Sequence, residues 1–511
     1  MKAKRLIGIL TLNLGLTLAL LAGLQMVQAA PVATNFFVGP GGTGTTCSRL
    51  QPCTILTALA QATNGDSIYA ARGDYTGTGT DVISITNSIT LYGGWDGAVF
   101  GPIMRDSARY PSVLDGEGMR RVVYISGNIT PTLDGFIITR GNATGLPADC
   151  SSDGCGGGIF IHSAHPIIVN NVISDNVAAT ASVGSLDGRG GALYLEHAAR
   201  SVISGNVIIS NVASTVGVGD GGGIYLSLGA DMGGTRVQFN QILSNTATTS
   251  DTIARGGGIY GGPDGVLIQG NIVAGNQANS YGGGAGAGFF QWYGSATYLN
   301  NMIRGNLGND LGNSAVFLGY SQSRFEGNQV IDNLTANGVQ VGAISGGGPT
   351  LVNNVIARSG SKTFSVYGYS SSMSAATLFH NTLVGSGAGY GVYGYYAAVY
   401  LTNTIIVSHT WGITNTPPAS STILADHTLF WANTNDGIRG ISSVDGDPAF
   451  AADGYHILTG SAAYNRGAAA GVTTDIDGDL RPDSCSPDIG ADELVTGFGC
   501  WHVYLPVIIR N

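Results

Sequence analysis

The feature that most restricts what this chain can fold into is a returning asparagine. The segment Asn171-Val-Ile-Ser-Asp-Asn176 recurs in outline at Asn206–Asn211, Asn240–Asn245, Asn271–Asn276, Asn301–Asn306 and Asn328–Asn333. Three further copies start at Asn354, Asn381 and Asn403, with Ser359, Ser386 and Ser408 in place of the second asparagine. Successive first asparagines lie 35, 34, 31, 30, 27, 26, 27 and 22 residues apart. A repeat of this length, built from short β-type apolar runs, signals a solenoid in which each unit buries its apolar face only by stacking on the next.

A glycine element alternates with the asparagine element. Gly156-Gly-Gly-Ile159-Phe160, Gly190-Gly-Ala-Leu193-Tyr194, Gly221-Gly-Gly-Ile224-Tyr225 and Gly256-Gly-Gly-Ile259-Tyr260 each precede an asparagine element, and degenerate copies follow near Gly282 and Val316. Each repeat therefore holds at least two short strands between tight turns, too brief and too rich in Gly and Asn for helices. Glycine permits left-handed turns, and asparagine turns the chain and hydrogen-bonds to its counterpart one coil away. A leucine-rich repeat or a propeller blade fits this pattern less well than an all-β, single-chain parallel β-helix of roughly a dozen coils.

Composition sets the outer bounds. Glycine numbers 81 of 511 residues and only 11% of the chain is charged, yet 43% is hydrophobic, enough for a core. The net charge is −10, and Lys362 is the only lysine after residue 4. That balance excludes nucleic acid, which requires clustered Lys and Arg, and disfavours polyanionic substrates.

The first thirty residues read as a secretory signal peptide: Met1 to Arg5 are basic, Leu6 to Leu24 uncharged and apolar, and Val27-Gln28-Ala29 is a small-x-small cleavage site. A retained anchor is the alternative. No later stretch is apolar for the ~20 residues a span requires, so the mature chain is expected not to cross a membrane and to be secreted or surface-displayed. Six cysteines fall into three close pairs, and the short loops favour Cys47–Cys53, Cys150–Cys155 and Cys485–Cys500.

The paired elements resemble right-handed parallel β-helix proteins of the pectin-lyase-like fold, including the repeats of polymorphic outer-membrane proteins. Phe37-Val-Gly-Pro-Gly-Gly-Thr-Gly44 and Ile89-Thr-Leu-Tyr-Gly-Gly-Trp-Asp-Gly97 look like the opening of such helices. Asp475-Ile-Asp-Gly-Asp-Leu-Arg-Pro482 and Asp488-Ile-Gly-Ala-Asp-Glu493 resemble the close of choice-of-anchor Q proteins. The organisation expected is 1–30 signal peptide, 31–125 N-terminal cap and first coils, 126–445 β-helix repeats, 446–499 closing region, and 500–511 an apolar sorting or capping tail.

The resemblance implies a fold and leaves the chemistry open. Hydrolases of this fold carry an Asp-Asp pair, Gly-His-Gly and Arg-Ile-Lys, and this sequence has none of the three. A glycosidase requires two carboxylates close together, for which the body offers Glu196 and Asp220. Arg189, Asp220 and Arg255 recur just before the glycine run and read as an exposed Arg-Asp-Arg ladder, with catalysis as the alternative.

Strand alternation points Phe160, Tyr194, Tyr225 and Tyr260 outward, giving a surface strip of rings suited to sugar faces, with Trp292 and Tyr293 in the next coil. The competing reading is that stacked rings simply stabilise the sheet. Asp475, Asp477 and Asp479 resemble the start of a calcium loop without its closing glutamate, so no cofactor is expected beyond calcium as a hypothesis. The expectation is a carbohydrate-binding or adhesive scaffold whose partner is a carbohydrate or cell-surface component. The alternatives are a polysaccharide lyase or glycoside hydrolase working beside the asparagine elements, or a structural surface-layer component.

Overall fold

The computed structural model describes residues 33–146, 150, 154–180, 187–228, 231–278, 286–308, 313–342, 347–369, 373–416 and 421–497. The signal-peptide reading, the tail 500–511 and Cys500 lie outside them.

From Asn35 to Asp445 the chain winds into three long sheets of 14, 13 and 14 strands. Every strand pair in them is parallel and joins one coil to the next, as in Ile159↔Leu193↔Ile224↔Ile259. Sheet I holds the strand before each first asparagine (Ile167–Val169, Val202–Ser204), sheet II the asparagine element (Val172–Ser174, Val207–Ile209), and sheet III the strand after the glycines (Ile159–His162, Leu193–Glu196). Two smaller sheets of four and five strands fill the corner between sheets II and III in the first half of the repeats. The fold is a right-handed parallel β-helix.

Period-two alternation places one residue of each short strand in the lumen, and these form unbroken apolar columns. Sheet III contributes Ile159, Leu193, Ile224, Ile259, Phe289 and Val316, sheet II Ile173, Ile208, Ile242, Val273 and Ile303, all fully buried.

The asparagines form two internal ladders. Each Oδ1 accepts the backbone N–H and the Nδ2 of the asparagine one coil earlier: Asn240 N and Nδ2 both reach Asn271 Oδ1 at 3.0 Å, and Asn271 N and Nδ2 both reach Asn301 Oδ1 at 3.0 Å. The second Nδ2 proton goes to a lumen-strand carbonyl, Val237 O at 2.9 Å for Asn271. The five-residue spacing arises because the residue before each asparagine is left-handed, as at Asp175 (φ 56°), Ser210 (φ 57°) and Ser244 (φ 52°).

Three expected ladder members are not in it. Ser359 does take the asparagine's place, accepting Asn333 N at 3.2 Å and Nδ2 at 3.1 Å. Ser386 is exposed and Ser408 half-buried in a left-handed turn. Asn403 also occupies the left-handed position, and register puts Thr404 opposite Asn381, since Ile405 pairs with Thr382. The second ladder resumes with His409, whose N–H donates to Asn433 Oδ1 at 3.0 Å.

A single seven-residue helix among the described residues, Ile55–Gln61, is capped by Thr54 and packs Ile55 and Ala58 into the N-terminal end of the core. Residues 446–497 form no further coil. They lie along the outer face of sheet II, burying Ile405, Val407 and Leu429 against Ile457, Ala463 and Ile489, and Val355 and Ala357 against Ala491. Cys47 is joined to Cys53 and Cys150 to Cys155, and Cys485 is also disulfide-bonded. No helix of the described residues is long and apolar enough to cross a membrane.

Candidate functional site

The ring column exists, but it is not a surface strip. Phe160, Tyr194, Tyr225, Tyr260, Phe290 and Phe317 stack through successive coils with centroids 4.7–5.2 Å apart, and all are at most 7% exposed. Alternation does turn them away from the lumen. What covers Phe160 to Tyr260 is the residue pair before each glycine run, folded back by a left-handed glycine, whereas Phe290 and Phe317 stack on Trp292 at 6.0 and 5.7 Å. At Gly221 (φ +68°) any Cβ would stand 2.4 Å from Ile224 O, so only glycine permits this reversal.

The reversal lays the charges over the rings. Arg189 caps Tyr225 at 5.5 Å from the centroid and Arg255 caps Tyr260 at 5.4 Å. Register aligns Arg189, Asp220 and Arg255, and Arg255 clasps Asp220 through two bonds of 2.7 and 2.8 Å, with Arg189 at 4.0 Å. The ladder expected to be exposed is therefore largely buried, with Asp220 3% exposed. Burial pushes the Asp220 carboxyl above its ordinary value despite the two guanidiniums, and burial likewise pushes the Tyr225 hydroxyl up to about 12.

Glu196 follows the ring column along its coil, whereas Asp220 precedes it. Glu196 sits 3.4 Å from His162 Nδ1. With Asp220 buried and held by Arg255, the pair offers no open acid–base site.

Trp292 and Tyr293 are brought together at a solvent-facing corner. They occupy the turn from sheet III to sheet I, beside the equivalent turn of the next coil. Tyr293 is 50% exposed and stacks on Tyr320 at 5.0 Å, while Trp292 meets Tyr320 edge-on at 5.3 Å. Bordering Tyr320 is a depression of about 350 Å³ lined also by Asp264, Gly294, Ser295 and Gln322. Ser295 Oγ donates to Asp264 Oδ1 at 2.7 Å, which orients one carboxylate oxygen and leaves the other to solvent.

A buried glutamine fixes this corner. Gln291 Nε2 donates to Gly262 O at 2.8 Å and Gly294 O at 3.0 Å, while its Oε1 accepts Tyr298 Oη at 3.1 Å and Ser323 Oγ at 2.9 Å. One side chain thus ties the turns of three coils together. In sequence it is a lone glutamine between aromatic residues, and only the register of the turns exposes its role.

The outer face of sheet II holds a shallow groove of about 570 Å³ beside the asparagine elements, lined by Ala274, Gly275, Met302, Arg304, Gly305, Ile331 and Asp332. Its one carboxylate, Asp332, is clasped by Arg358 at 2.6 and 3.1 Å. That is half of what glycoside hydrolysis demands.

Asp475, Asp477 and Asp479 do not converge as ligands. Asp475 Oδ1 accepts the N–H groups of Asp477 and Asp479, and Oδ2 accepts Glu493 N–H, so the residue builds the turn. Asp477 instead joins His456, whose Nε2 is 2.6 Å from Asp477 and whose Nδ1 is 2.5 Å from Asp453. Partial burial opposes charge on this ring, and the two carboxylates overcome it and raise its pKa to about 9. Among the described residues, His456, Asp477 and Asp492 are the group whose ligand atoms lie within 4.8 Å of one another.

A buried polar knot holds this closing segment to the coils. Arg481 pairs with Glu493 at 3.2 Å and donates to Asp488 O at 2.8 Å, and His380 Nε2 accepts from Asn403 Nδ2 at 2.8 Å. Burial and the neighbouring Arg481 lower the His380 pKa to about 3, keeping it neutral.

Residues 117–242 match the family model described as "Right handed beta helix region". No curated protein sequence matches the chain. Among solved structures, the chain is similar to pectate lyase Pel9A (13% identity, TM-score 0.37, covering 91% of this chain and 97% of that one) and to XylC in complex with xylose (11%, TM-score 0.41, 82% and 87%). A double mutant of the tailspike protein of E. coli bacteriophage HK620 is also similar (10%, TM-score 0.34, 81% and 73%). These likenesses are of fold.

Proposed function

We propose that this protein is an exported carbohydrate-binding β-helix scaffold and that the Trp292–Tyr293–Tyr320 corner is its sugar-binding site. One observation carries the reading: a pair of stacked rings, Tyr293 half-exposed and Tyr320 partly so, beside a depression rimmed by Asp264, Ser295 and Gln322. A sugar offers an apolar face for a ring and hydroxyls at its edge for polar side chains, and recognition sites combine these two features. Because Gln291 holds the turns in place, little ordering entropy opposes binding.

Binding ranks above turnover because the two candidate carboxylates of the body, Glu196 and Asp220, do not form an open pair. The leader-like first thirty residues and the two disulfides support export. A neutral-glycan array run alongside assays for new reducing ends and unsaturated products tests the reading. Binding without product is expected. Product formation would replace this function with a lyase or hydrolase, and a blank array with a surface-layer role.

A further inference from the structure

Beyond residue 317 the outer face of sheet III changes character. The four-stranded covering sheet ends at Arg255 and the five-stranded one at Gly308. The strands of sheet III then lengthen to Ser314–Gly319, Asn337–Gly342, Lys362–Tyr367 and Tyr390–Tyr395. The outward column that was a covered ring stack continues as Gln340, Ser365, Tyr393 and Thr414. Aromatic residues collect on this face, over a column whose Ser365 is fully buried: Tyr367, Tyr390 and Tyr393 are half-buried, while Tyr395 is 38% and Trp411 39% exposed.

Among these rings stands the one lysine that follows residue 4. Register sets Lys362 against Tyr390, and Tyr390 against Trp411 one coil on. Its Nζ lies 5.4 Å from the centroid of Tyr393, which itself packs on Tyr390 at 5.5 Å and Tyr367 at 5.6 Å. No described carboxylate forms an ion pair with Lys362, whereas Arg358 on the same coil is clasped by Asp332. Partial burial lowers the lysine's pKa, with no opposing anion.

An ammonium partly removed from water, flanked by rings and without a counter-charge, suits an anionic group carried on a stackable body. We infer that the Lys362–Tyr390–Tyr393–Trp411 face is a second binding site, which takes a saccharide bearing an isolated carboxylate or sulfate. The acidic balance of the chain disfavours a polyanion, but a single cation fits a glycan in which charged units are sparse. The site begins with Lys362 two coils beyond the strand Ser314–Gly319 that leads into Tyr320, about 10 Å at the usual strand spacing, and runs on from there. It does not depend on the Tyr293 corner.

The test uses the full chain with two singly charged probes, a neutral oligosaccharide carrying one uronic acid and the same oligosaccharide carrying one sulfate, and the uncharged parent as reference. At least one charged probe is expected to bind more tightly than the parent, with affinity that falls as salt rises. Lys362→Met, which keeps the stem, should weaken that probe about tenfold or more, and Lys362→Arg should retain most of it. Binding of neutral sugar lost on Tyr293→Ala should be intact in both lysine variants, which separates failure of this site from failure of the first. The inference is overturned if neither charged probe is preferred over the parent, or if Lys362→Met binds the charged probes as the wild type does.

Discussion

Replacing Asn271 by alanine removes a known set of hydrogen bonds from the middle of the first ladder. Asn240 N and Asn240 Nδ2 lose the Oδ1 that accepts both at 3.0 Å, and Val237 O and Asn301 Oδ1 lose a donor. The bond from Asn271 N to Asn301 survives because it is made by the backbone. Asn240 Nδ2 keeps Ile203 O at 2.9 Å and Gln238 O at 3.0 Å, so the one stranded donor is the Asn240 N–H, and a buried unpaired donor implies a loss of roughly 1–3 kcal/mol. Serine at the same position should recover part of it, since Ser359 already accepts both donors of Asn333 at 3.1–3.2 Å. A solenoid need not unfold in one step, so the readout is local: hydrogen exchange at the Asn240 amide, expected at least ~5-fold faster in Asn271→Ala for ~1 kcal/mol. Gln238→Ala, on the outer face of sheet I, is the control and should leave that amide protected. If Asn271→Ala changes exchange no more than the control does, the ladders do not hold the coils in register.

Two other consequences concern charge. Asp220→Asn leaves the partly buried Arg255 without its partner and should cost about 1–3 kcal/mol, visible as a lowered unfolding midpoint in denaturant; a midpoint unchanged from wild type would mean that the ladder is well hydrated. The His456 clamp should weaken in alkali. An unfolded imidazole titrates near 6.5 and the folded one at about 9, so its contribution is complete below 6.5 and disappears as pH rises through about 9. The melting temperatures of wild type and His456→Gln should therefore converge above pH 9, and a gap that stays constant from pH 6 to 10 would contradict the clamp.

The fold was legible because stacking writes the same demand into every coil. A polar side chain, asparagine in most coils, fills each ladder position and an aliphatic or ring each lumen position, so the period survives the loop variation between them. Where substitution respects the geometry but changes the letter, the pattern fails: Thr404 and His409 carry on positions that, on residue type alone, belong to Asn403 and Ser408. Strand alternation correctly turned Tyr194 and Tyr225 away from the lumen, but it could not say what lies above them. Their burial depends on a left-handed glycine that reverses the chain, and on Arg189 and Arg255 reaching back over the rings. Trp292 and Tyr293 were visible as an aromatic cluster. Tyr320, Asp264 and Gln291 belong to the same corner only because turns of neighbouring coils stack, which no local window of sequence records. The closing segment was recognisable by its aspartates, whereas its place along the side of the coils follows from Arg481, His380 and Asn403, which are up to 101 residues apart.

The central claim is that sugars are recognised at the turn where Tyr293 stacks on Tyr320. Titration calorimetry of the best neutral glycan from the array, against wild type, Tyr293→Ala and Tyr320→Ala, tests it most directly. Each substitution should weaken binding about fivefold or more, since a ring contact of this kind contributes about 1 kcal/mol, while circular dichroism and the melting temperature stay close to wild type because Tyr293 is half-exposed and Tyr320 is not fully buried. Unchanged affinity in both variants, with the fold intact, would place recognition elsewhere on the helix and contradict the account.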